Sequence, residues 1–140
     1  MMNDIERLQN NLAIIRKAGG WTLEEFGEFL GLSKQSISNL EHKTVKMSKA
    51  QYIAIRAILD YMIEPDNVLY MVVVIFLNAD DIPEDTLIKC RTYLSGVHKN
   101  EMIFPDVLDG LSAFISSEKI CTLMYNDSKS IHWMERIIHQ

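Results

Sequence analysis

A chain of 140 residues with 48% hydrophobic residues is long and apolar enough to bury a core in one domain or two small ones, which excludes a disordered chain. The longest apolar run, residues 68–77, is about half of the roughly 20 residues that cross a bilayer, and the N-terminus lacks the pattern of a secretory signal. The expectation is a soluble, cytoplasmic protein without membrane contact. The formal charge of -5 is unevenly placed: residues 1–64 hold eight basic and eight acidic residues, and residues 65–140 hold six and eleven. Within residues 33–49, Lys34, Lys43, Lys46 and Lys49 face Glu41 alone, so an acidic molecule carries one local basic patch suited to a polyanion.

The first predicted element is a helix in which Ile5, Leu8, Leu12 and Ile15 recur at helical spacing, stopping at Gly19-Gly20. Thr22 opens a second helix: Thr22 and Glu25 have the spacing of a capping box, and Trp21 and Phe26 that of a hydrophobic staple. Ser33 opens a third helix, stapled by Leu32 and Ile37. Ser48 opens a fourth, with Gln51 completing a capping box and Met47 and Tyr52 stapling it. Only Gly31 and Leu32 separate the second helix from the cap of the third. So short a link forces a steep crossing, in the manner of a helix-turn-helix. Phe26, Leu30, Leu32, Ile37 and Leu40 fill the wedge, Gly27 lets the backbones approach, and Lys34, Gln35, Ser38 and Asn39 remain on the outside, with Ser36 near their edge.

The segment "IRKAGGWTLEEFGEFLGLSKQSISNLEHKTVKMSKAQYIAI" resembles the helix-turn-helix of the Xre/Cro and lambda-repressor-like transcription regulators. The matching features are Ile15-Arg16 before the turn, the Thr22 start, Glu24-Glu25, the turn glycine Gly31 and "SISNLE" from Ser36 to Glu41, and the resemblance spans about residues 5–62. Four positions depart from the family pattern: Leu23 in place of a backbone-touching glutamine, Gly27 in place of alanine, Lys43 in place of glycine, and Met47 in place of proline. The resemblance implies an all-α, lambda-repressor-like DNA-binding domain over residues 1–64; residues 65–140 lie beyond it and read as a mainly helical region from their own pattern. It also implies double-stranded DNA as partner, homodimerisation and a repressor's role.

Reading a base pair requires donors and acceptors carried into the major groove by a narrow element. Lys34 has the chemistry to donate to guanine O6 and N7, and Gln35 and Asn39 have the amide geometry for adenine N6 and N7. Gln35 and Asn39 are four apart and share a helix face, with Lys34 at the leading end and Ser38 short enough to admit close approach. Thr22, Ser33, Ser36, Lys43, Lys46 and Lys49 are the expected phosphate contacts, which fix register without reading sequence. Glu41 is expected to be a structural acceptor, since phosphates repel a carboxylate, and Trp21 to belong to the core.

Residues 68–77 read as a helix apolar on nearly every side or as a buried strand, with the helix preferred because the neighbouring elements are helical. Pro83 suits the first turn of a helix running to about Leu94 and ending at Gly96. Phe104, Val107, Leu108, Leu111, Phe114 and Ile115 form one helical stripe, "KICTLMY" from Lys119 is ambiguous, and a last helix holds Ile131, Met134, Ile137 and Ile138. This half suits a homodimer interface first, then a surface for a protein or small-molecule effector, or else mainly a core. The alternative function is a protein interaction module that keeps the helix-turn-helix as scaffold and holds a partner with its acidic half.

Catalysis has little foothold. The four histidines lack HExxH spacing, no glycine-rich phosphate loop follows a strand, and no serine occupies a G-x-S-x-G turn. Autocleavage by a Ser/Lys pair requires a β-rich domain that these residues do not resemble. His132 beside Trp133 reads as a packed pair, and Cys90 and Cys121 as reduced, packed thiols, so neither a metal nor a cofactor is expected.

Overall fold

The computed structural model describes residues 3–63, 68–78, 80–129 and 133–140, and among these residues helices are the sole regular secondary structure. Helix α1 (Asp4–Ala18) starts where the Asn3 side chain accepts the Glu6 amide at 2.8 Å, and ends with Arg16 and Lys17 in the last turn, where cations offset the helix dipole. Gly20 takes a φ of 77°, and the Trp21 amide returns to the Arg16 carbonyl at 3.2 Å. Both expected capping boxes form, Thr22 with Glu25 ahead of α2 (Leu23–Leu30) and Ser48 with Gln51 ahead of α4 (Lys49–Met62). The staple before α2 is a stacked pair, the Trp21 and Phe26 rings lying 5.6 Å apart.

Between α2 and α3 (Lys34–Glu41), Gly31 supplies the left-handed turn with a φ of 69°, and the Leu32 amide closes it on the Gly27 carbonyl at 2.8 Å. A Cβ on Gly27 would stand 2.4 Å from the Leu32 backbone oxygen. The tight turn therefore accounts for glycine where the family pattern has alanine. Leu23 is also explained: it is half-buried and packs on the core, so an apolar side chain occupies the place of a polar one. After α3, Lys43 keeps the left-handed backbone usual for glycine, with a φ of 59°, at a cost of about 1 kcal/mol. The charge is gained without a change in the path of the chain.

The second half is helical as well. Residues 68–77 are buried throughout, as α5 (Val68–Val73) and a π-helical turn (Val74–Asn78). A helix with no exposed face carries no periodic signal, which is why the sequence left a strand open. Helix α6 (Glu84–Ser95) has Pro83 at its cap and Gly96 at its end. The stripe from Phe104 is shorter than expected: α7 (Phe104–Leu111) stops at Leu111 and does not reach Phe114 or Ile115. There the chain turns, the Phe114 and Ile115 amides both bonding the Leu111 carbonyl, and Ser116 caps the next helix by accepting the Lys119 amide at 3.1 Å. That helix, α8 (Ser117–Lys129), resolves the ambiguous "KICTLMY", and α9 (Trp133–Ile138) follows. Of the expectations for this region, those on Ile131 and His132 lie outside the described residues. The reading of two packed thiols holds for Cys90 alone: burial pushes its thiol up to about 11, whereas Cys121 is exposed.

One continuous hydrophobic core joins these elements. Helix α1 lies at its centre, packed against α3 and α4 on one side and against α5, the π-helical turn and α6 on the other. Polar ties reinforce the junction. Buried Asn11 accepts both Arg91 Nε at 3.1 Å and a terminal Arg91 nitrogen at 2.8 Å, and Arg7 pairs with Asp80. Helix α9 docks on α4, where the Trp133 indole donates to Asp60, stands edge-on to Tyr52 and lies under the Arg56 guanidinium at 5.1 Å.

Candidate nucleic-acid interface

Helix α3 is anchored from beneath by Ile37 and Leu40, both fully buried, and begins at Ser33, whose hydroxyl oxygen accepts the Ser36 amide at 3.1 Å. Its opposite surface carries Lys34 and Gln35, exposed, and Ser38 and Asn39, half-buried. The Gln35 amide donates to the Asn39 side-chain oxygen at 2.9 Å, so the two amides stand together with their remaining donors and acceptors outward. Ser38 Oγ lies 3.3 Å from His42 Nδ1, and Lys34 sits 3.5 Å from Glu24 in an exposed pair of little energetic weight. The sequence-predicted reading residues are therefore gathered on one helix face.

Two features that hold this helix were not legible in the sequence. Arg16 forms a two-pronged pair with Glu41, at 2.6 Å and 3.1 Å, and donates with its third nitrogen to the Trp21 carbonyl at 2.8 Å. The end of α1, the start of α2 and the end of α3 are thus tied by one guanidinium, and Glu41 has the structural role expected of it. Gln9 is buried and makes a three-way clamp: its amide nitrogen donates to Leu40 O at 3.0 Å and Val45 O at 2.7 Å, and its oxygen accepts the Met47 amide at 3.0 Å. The clamp sets the path of the loop bearing Lys43 and Lys46. Its one sequence signal is a polar residue inside the apolar stripe of Ile5, Leu8 and Leu12.

The expected phosphate contacts are distributed around α3. Thr22 and Ser33 are exposed at the starts of α2 and α3, Ser36 is half-buried, and Lys43 and Lys46 are exposed beside a shallow cleft shared with Glu6, Gln9, Asn10 and Val45. Lys49 has a different environment: its ammonium donates to the Ile138 and Gln140 carbonyls at 3.4 Å and 3.3 Å. Among the described residues no group of three or more His, Cys, Asp or Glu side chains is arranged to hold a metal ion, and no helix is long and apolar enough to cross a membrane.

A short helix held at a fixed angle by a glycine turn, with amides and an ammonium outward and cations alongside, is the arrangement of a helix-turn-helix, an element that presents one helix to DNA. Residues 12–60 match the family model described as helix-turn-helix, and this segment is a domain of the Xre/lambda-repressor-like type, a family of DNA-binding transcription regulators. No curated protein and no solved structure matches the chain.

Proposed function

We propose that the protein is a sequence-specific transcriptional repressor of the cytoplasm, acting as a homodimer, in which α3 enters the major groove. Residues 1–64 would form the DNA-binding domain and residues 65–140 the region for dimerisation or partner binding. The observation that carries this reading is the surface of α3: short hydroxyls, two amides and one lysine on a helix braced by Arg16, Glu41 and Gln9. A braced helix meets the groove without further ordering, and short side chains let its backbone approach the bases. Lys34, Gln35, Ser38 and Asn39 read base edges in this account, whereas Thr22, Ser33, Ser36, Lys43, Lys46 and Lys49 hold the phosphates.

Dimerisation follows from scale. One short helix spans few base pairs, and two half-sites one DNA turn apart supply the affinity and specificity that one lacks. Ile88, Ile103, Phe114 and Tyr125 are exposed apolar side chains of the second half that such a contact would cover, and the mass in solution tests it.

The division of roles has a direct test by paired substitutions. Gln35→Ala is expected to relax preference at one base pair and cost roughly 1–3 kcal/mol on the preferred sequence, whereas Lys46→Ala weakens all sequences alike and lowers the salt slope by about 1. Titration of preferred and scrambled duplexes over a salt series measures both. Identical behaviour of the two variants would remove the assignment of base readout to α3.

A further inference from the structure

A cleft of about 330 Å³ opens between the two halves and belongs to neither alone. Arg16, Lys17, Trp21 and Thr22 line it from the end of α1 and the start of α2; Ser95, Val97, His98 and Met102 line it from the end of α6 and the loop beyond. We propose that this cleft seats a phosphate of the DNA backbone flanking the site read by α3, held by Lys17 and by His98 of the second half. The inference rests on the DNA-binding reading and extends it: the region after residue 64 touches DNA directly, beyond any part in dimerisation.

Three observations lead to this occupant. Thr22 is shared between the cleft and the expected phosphate contacts, so the cleft continues that surface. The charge of Arg16 is paired with Glu41 and three of its five N–H groups are engaged by Glu41 and Trp21, so the unpaired cationic charge offered to a ligand comes from exposed Lys17. Exposed His98 adds an imidazole N–H, a donor whether the ring is neutral or charged, whereas the Ser95 hydroxyl already donates to the Arg91 carbonyl at 2.9 Å and borders the cleft without a free donor. The cleft is also open to solvent along one side, whereas sites for small organic ligands enclose most of the ligand surface. Trp21 and Met102 give the cleft an apolar side beside these polar groups.

The test uses the full chain and sheared genomic duplex DNA over a salt series, because a phosphate contact carries no sequence preference. Lys17→Ala is expected to lower affinity several-fold and reduce the slope of log K against log salt by about 0.9. His98→Ala lowers affinity too, His98→Lys raises it and His98→Glu lowers it further, an ordering by charge that lost packing would not produce. Lys89→Ala removes the same charge from exposed α6 surface outside the cleft and sets the effect of net charge. Equal effects of Lys17→Ala and Lys89→Ala, or no ordering at His98, would overturn the proposal while leaving α3 as the DNA-reading element. Failure of the unaltered chain to bind DNA at low salt would overturn both.

Discussion

Glu41→Ala is expected to lower folding stability by about 3–5 kcal/mol, a large share of the roughly 5–15 kcal/mol that holds a typical domain together. The cause is what the substitution leaves behind. The side chains of Arg16 and Glu41 are 12% and 6% exposed, so removing the carboxylate strands a guanidinium that water barely reaches. The remaining donation from Arg16 to the Trp21 carbonyl does not neutralise that charge. Glu41→Gln keeps an acceptor but not the charge, and its loss falls between wild type and alanine. Urea unfolding measures the series, and a Glu41→Ala loss below about 1 kcal/mol would mean that the pair contributes no more than a surface ion pair.

The second large effect is at Gln9. Gln9→Ala removes three hydrogen bonds at once, and a buried group left without its partner costs about 1–3 kcal/mol. Val45 is exposed, so its carbonyl can regain water, and the expected total is about 2–4 kcal/mol. The effect reaches function through the loop: Met47 loses the acceptor of its amide, and the segment bearing Lys43 and Lys46 loosens. Hydrogen exchange at the Met47 amide should therefore speed up beyond the change in global stability. Unchanged protection at Met47 would contradict the clamp.

Both residues illustrate what sequence reading can and cannot reach. The starts of α2 and α4 were legible because a capping box is written within four residues, as in Thr22 with Glu25 and Ser48 with Gln51. The turn was legible because Gly31 and Leu32 leave too little chain for any other crossing. Glu41 was legible as a structural acceptor, but Arg16, 25 residues away, was not legible as its partner. Gln9 clamps groups 31 to 38 residues distant and leaves no local pattern beyond its place in an apolar stripe.

The second half was legible only in part, for the same reason. Periodicity fails where α5 is buried on every side, and it overran α7, because Phe114 and Ile115 keep the helical spacing after the backbone has turned away. Nor does any motif announce that α9 returns to α4, with Trp133 donating to Asp60 and the Ile138 and Gln140 carbonyls accepting from Lys49. The place of Lys49 in a basic run suits a phosphate contact. Its ammonium also holds the last residues described, a contact with which a phosphate would compete.

Sequence readout by α3 is what the proposed function stands on. Its most direct test is recovery of genomic fragments bound by the full chain at moderate salt, followed by sequencing of those enriched. The expected result is an enriched palindrome with half-sites about one helical turn apart, and an affinity that falls steeply as salt rises. Binding without any enriched sequence would contradict readout by Lys34, Gln35, Ser38 and Asn39.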